Sequence, residues 1–168
     1  MAGLLILNQQ DKYNVRSSRL APFLRDLRRA LRLGRLACHV CLVDDRQIKR
    51  LNSFYRGQHG STDVLSFPWN PRPASLGRAA RGKPALRREA ARRHGPQPAP
   101  EFRDFLGDIV ISTQTARRNA QREGHSTLNE IRWLILHGLL HLLGYDHECD
   151  KGEMTRLELS LRQRLGIG

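Results

Sequence analysis

Apolar residues recur at helical spacing early in the chain. Leu20, Phe23, Leu24, Leu27 and Leu31 line one face of a helix predicted over Ser17 to Leu33, and Arg19, Arg25, Arg28, Arg29 and Arg32 fill the opposite face. Leu4 to Leu7 reads as a short strand before it, and His39 to Val43 as a buried strand after it. Asp44 is a plausible N-cap for a helix running to Arg56, with Ile48, Leu51, Phe54 and Tyr55 expected inward. Val64 to Phe67 and Leu106 to Ser112 are β-rich apolar runs bounded by Pro68 and by Gly107 with Asp108, so both read as strands. Thr127 and Glu130 form a capping box opening a helix through Leu143, and Gly144 stands where a left-handed C-cap residue belongs. Asp150 with Glu153 repeats the box before a last helix whose Met154, Leu157, Leu161 and Leu165 make a core stripe.

One long segment breaks this pattern. Trp69 to Arg103 contains six prolines and almost no large apolar residues, a composition that predicts a disordered or RNA-ordered loop, with a short helix over Ala85 to Arg93 as the alternative. Its nine basic and two acidic residues give a net +7 out of the +13 carried by the whole chain. The remaining length, within 168 residues, suits a single domain that buries a core without disulfides.

The charge points to a polyanionic partner: 29 basic residues, 25 of them arginine, oppose 16 acidic ones. Charge alone does not separate RNA from DNA or from a membrane surface. The longest apolar stretches, Met1 to Leu7 and Trp133 to Leu136, are far too short to span a bilayer, and no signal-peptide pattern is present. Three cysteines, an odd count, argue for a reducing compartment, and the cytoplasm is the expected location. Cys38 and Cys41 form a C-x-x-C, but positions three apart in a strand face opposite ways and no second pair exists, so buried packing is expected of them rather than redox or zinc chemistry.

The chemistry concentrates in the eleven residues from His137 to His147. Residues four apart share a helix face, so His137 and His141 present adjacent imidazoles, and a turn at Gly144 lets His147 return as a third nitrogen ligand. Three histidines plus an open position is a catalytic metal arrangement. A closed structural site would need a fourth ligand such as Cys149 or Asp146. Zinc is the first choice for three imidazoles, although nickel, copper or cobalt would also bind them. The spacing matches that of metzincin proteases, yet Gly138 stands where their glutamate base belongs, which disfavours peptide hydrolysis by that route.

Position by position, His137 to His147 resembles the H-G-x-L-H-L-x-G-Y-D-H signature of the YbeY family of bacterial metal-dependent endoribonucleases. Leu51 to Arg56, Thr62 to Pro68 and Leu106 to Ser112 agree with the same family in the same order. The resemblance implies a compact α+β domain with a small mixed, mostly parallel sheet of about four strands and a histidine-bound zinc in a cleft. It also implies cleavage of single-stranded RNA in 16S rRNA 3′-end maturation and ribosome quality control. The implied partners are rRNA, the small ribosomal subunit, and ribosomal proteins or an assembly GTPase. The family's important arginine falls on Arg56, placed to stabilise charge on the scissile phosphate. Asp146 is a candidate proton acceptor or an orienting group for His147, and Asp108 a candidate organiser of the cleft from a strand end. The segment from Trp69 to Arg103 departs from the family in length and charge, and is expected either to clamp RNA or to be a tolerated insertion. Two other readings are a metal-dependent hydrolase of other substrates and a non-catalytic ribosome-assembly factor with a structural metal.

Overall fold

A computed structural model describes residues 4–69, 104–147 and 150–167. Most of the basic segment, with its alternative helix over Ala85 to Arg93, lies outside the described residues, as does Cys149. Strand β1 (Leu4–Asn8) leads through a 3-10 turn (Ser17–Arg19) and helix α1 (Ala21–Ala30) into β2 (Ala37–Val43). Helix α2 (Asp45–Arg56) and β3 (Val64–Pro68) follow. Then come β4 (Phe105–Ser112), α3 (Thr113–Glu123), α4 (Thr127–Leu142) and α5 (Glu153–Leu165).

The sheet has the order β1-β2-β4-β3, with β1, β2 and β4 parallel and β3 antiparallel at the edge. This is the small, mostly parallel α+β arrangement expected. Alternation along the strands sends Val40, Leu42, Ile109 and Ile111 toward the main core, shared with Leu24, Leu27, Ile131, Ile135 and Leu139 from the helices. The opposite face buries Val43, Leu65 and Val110 under Ile48 of α2. Cys38 belongs to the first face and Cys41 packs on the second, as positions three apart in a strand require. Burial, and then the nearby Asp108 charge, pushes the Cys38 thiol up to about 12, which makes it an inert packing group.

Four local expectations are corrected. The helix predicted over Ser17 to Leu33 is split: Pro22 has no N–H to donate backward, so a 3-10 turn precedes α1, and the chain leaves through Arg32 at φ 52. Phe54 and Tyr55 are exposed, not inward, because the last turn of α2 reaches the edge strand and no further strand lies beyond to cover it. Asn52 takes the buried position there and donates from Nδ2 to the Gly60 carbonyl at 2.9 Å. At the start of α4 the cap is Ser126, whose hydroxyl accepts from the Asn129 N–H at 3.2 Å. Glu130 is buried and pairs with His125 at 3.2 Å instead of completing a box with Thr127. The last helix has Gly152, not Asp150, as its N-cap, with Glu153 at the first helical position, so no box forms; the Asp150 carboxylate, two residues earlier, still accepts from the N–H groups of Gly152, Glu153 and Met154.

Candidate metal centre

Helix α4 packs its middle directly on the sheet, and this contact fixes the site. A Cβ on Gly138 would lie 2.7 Å from Ile109 Cγ2 and 3.0 Å from Ser66 Oγ, and the Ser66 hydroxyl donates to the Gly138 carbonyl at 3.2 Å. Glycine is therefore needed for close approach to β3 and β4. The protease glutamate missing from this position would have pointed into the sheet. With Gly138 against the strands, His137 and His141 turn into a cleft beside the edge strand β3.

The helix ends one residue later, and Gly144 at φ 92 turns the chain back. The Gly144 N–H donates to the His141 carbonyl and the Tyr145 N–H to the Leu140 carbonyl, closing the turn. His147 thereby returns to the other two imidazoles: ring centroids lie 4.7 Å apart for His137 and His141, 5.6 Å for His137 and His147, and 5.3 Å for His141 and His147. One ring nitrogen from each residue lies within 4.8 Å of the others.

The hydrogen bonds on the far side of each ring decide which nitrogens face inward. His137 Nδ1 sits 3.2 Å from Glu158 Oε2, and His141 Nδ1 sits 3.1 Å from the Tyr145 carbonyl. Both acceptors call for a proton on Nδ1, which leaves the Nε2 lone pairs facing each other at 3.1 Å. Two lone pairs at that distance repel unless a cation or a proton stands between them. Nitrogens bound tetrahedrally at roughly 2.0–2.1 Å are about 3.3 Å apart, so the separation fits a shared metal ion. Burial, and then the neighbouring His137 and His147, pushes the His141 pKa below its ordinary value and favours the neutral, ligating form.

Glu158 is the partner of the histidine cluster that the sequence did not reveal. It lies on α5, 21 positions from His137, and accepts from both His137 and the Trp133 indole N–H. Arg162 stacks over the Trp133 ring at 4.0 Å. Burial alone would raise the Glu158 carboxyl, but His137, Trp133 and Arg162 together hold it below its ordinary range. No local motif announces this residue, because only the packing of α5 on α4 brings it to the histidine.

The cleft has a volume of about 700 Å³ and is walled by β3 and by the turn from Gly144 to His147. Arg56, Asp146 and the three histidines all line it, so the five predicted site residues meet in one place. Arg56 reaches it from the last turn of α2, beside Tyr55, whose ring meets Phe67 at 5.0 Å. Asp108 does not join them. It alternates with Ile109 and so projects from the opposite sheet face, where it lies 3.1 Å from His39 Nδ1. The expectation that it organises the cleft is corrected on that ground.

Comparison with known proteins gives a consistent result. The family model for endoribonuclease YbeY matches residues 5–166. An endoribonuclease YbeY of Nautilia profundicola is 43% identical over 128 residues, covering 76% of this chain and 71% of the relative. One of Syntrophomonas wolfei is 33% identical over 165 residues, covering 96% and 93%. The solution structure of TM1509 from Thermotoga maritima superposes with a TM-score of 0.59 at 23% identity, covering 96% of this chain and 88% of that one, which is a likeness of fold.

Proposed function

Because the chain belongs to the endoribonuclease YbeY family, we propose that it is a zinc-dependent endoribonuclease that cuts single-stranded RNA, acting in 16S rRNA 3′-end maturation and ribosome quality control. The observation that carries the reading is the convergence of three inward-facing imidazoles with Arg56 in one open cleft of a strongly basic protein.

His137, His141 and His147 hold the metal in this account, with Glu158 and the Tyr145 carbonyl fixing two of the rings. A bound zinc supplies Lewis-acid polarisation of a phosphate oxygen and a lowered pKa for coordinated water. The Arg56 guanidinium grips the scissile phosphate and stabilises the negative charge that develops on its equatorial oxygens. The Asp146 carboxylate, on the same wall, accepts a proton from the attacking hydroxyl or water. The group of three histidines, which gathers no fourth ligand among the described residues, favours a catalytic metal over the closed structural site of an assembly factor. The partners on this reading are rRNA and the small ribosomal subunit, with ribosomal proteins or an assembly GTPase, and the setting is the cytoplasm.

Incubation of purified, metal-analysed protein with matched single-stranded and duplex RNA tests this directly. Cleavage of the single strand alone, lost in both His137→Ala and Arg56→Ala, is the expected result. Stoichiometric metal and RNA binding without cleavage would instead favour the assembly factor.

A further inference from the structure

A second pocket, of about 370 Å³, shares no lining residue with the metal cleft. It forms where the loop after β1 meets α3, which follows β4, and the first turn of α4. This is the carboxyl end of the parallel strands, where open parallel sheets commonly take ligands. Ten residues of α4 separate Thr127, on its rim, from His137, a rise of roughly 15 Å, so the pocket is distinct from the metal cleft.

Its walls carry Arg16, Arg19 and Arg117, and none of the three forms an ion pair with a carboxylate among the described residues. Three solvent-exposed guanidinium groups around one concavity make a positive patch suited to an anion. The first turn of α4 adds to the demand, because the Thr127 and Leu128 N–H groups at that helix start have no partner within the helix and carry the positive end of its dipole. The floor is apolar, made by Val15, Leu128 and Ile131.

The loop that supplies two of the arginines is braced. The Gln10 side chain donates to the Tyr13 carbonyl at 2.9 Å and accepts from the Tyr13 N–H at 3.0 Å, and the Arg117 guanidinium lies over the Tyr13 ring, 4.8 Å from its centroid. A cationic rim above an apolar floor excludes a bare inorganic ion as the best fit and matches an anion that also carries an apolar part.

We propose that this pocket binds a nucleotide, with its phosphate held by Arg16, Arg19 and Arg117 and its base laid on Val15, Leu128 and Ile131. The nucleotide can belong to an RNA strand, in which case the inference rests on the ribonuclease reading, or it can be a free mononucleotide.

The test uses the full chain carrying Arg16→Gln together with Arg117→Gln. A control pair, Arg25→Gln with Arg35→Gln, removes the same charge from exposed positions outside the pocket. Anisotropy of a labelled, unstructured RNA oligonucleotide is followed across a salt series, and adenosine 5′-monophosphate is titrated calorimetrically beside adenosine. The pocket pair should weaken RNA binding roughly tenfold or more. It should also lower the salt slope by about 0.7, the value for one lost phosphate contact on a single strand. The control pair should do less, and the melting temperature should stay unchanged.

Binding of the monophosphate but not adenosine, lost in the pocket pair, assigns the site to free mononucleotides; no monophosphate binding with the RNA effect intact assigns it to RNA. Equal losses in the two pairs, without monophosphate binding, overturn the proposal in favour of diffuse surface charge. Wild-type protein that binds no RNA defeats the ribonuclease reading, and the monophosphate titration then judges the pocket alone.

Discussion

Glu158 shows how one carboxylate on a neighbouring helix can set the tautomer of a ligand. It takes the proton-bearing Nδ1 of His137 on one oxygen and the Trp133 indole on the other. A glutamine in its place can accept with a single oxygen and brings no charge, so Glu158→Gln should weaken metal binding roughly 10- to 100-fold. Competition against a chromogenic chelator reads this without reference to catalysis, and an unchanged affinity would reduce Glu158 to a packing role. Acid acts on the same residues. The folded His141 pKa is below its ordinary 6.5, so the unfolded chain takes up protons there that the folded chain resists, and stability falls as pH drops below that value. The Glu158 pKa is also lowered, so its contribution is complete above the ordinary 4.5 and disappears as pH falls through the lower folded value. Both effects run the same way. Metal-free protein should therefore show a denaturation midpoint that declines steadily on acidification from neutral pH, and a flat midpoint would contradict both assignments.

Helix α4 is the element on which the site depends, since it carries two of the three clustered histidines and rests on β3 and β4 through Gly138. Alanine at 138 would gain about 1 kcal/mol of helix propensity, but its Cβ collides with Ile109 and Ser66, and overpacking costs roughly 1–3 kcal/mol. The expected net result of Gly138→Ala is a lower melting temperature together with weaker metal binding, as α4 is lifted from the sheet. An unshifted melting temperature would show that the strands yield. Much at this scale was legible in the chain. Periodicity placed every strand within two residues, and the histidine spacing with Gly144 located the ligand turn, because those features depend on local geometry alone. The failures were partly tertiary and partly slips of a local helix start. Nothing local to Phe54 and Tyr55 says that α2 ends at an edge strand, nothing in Asp108 says which sheet face it takes, and Ser126 outcompeted Thr127 as cap by one residue.

Across the whole molecule, Arg56 lines the cleft and three arginines line the second pocket, and no helix among the described residues is long and apolar enough to cross a membrane. The +13 charge predicts that RNA affinity falls linearly with the logarithm of salt concentration. Cleavage at saturating RNA should change far less with salt, since Arg56 and the histidines act within a partly enclosed site. The most direct measurement of the central claim is a zinc titration of metal-stripped protein, with single-stranded RNA cleavage recorded at each step. Activity that rises in proportion to zinc and levels off at one equivalent, with no recovery in His137→Ala, is the predicted result. Cleavage that persists in the stripped protein, or survives His137→Ala, would contradict a three-histidine metal centre as the seat of the reaction.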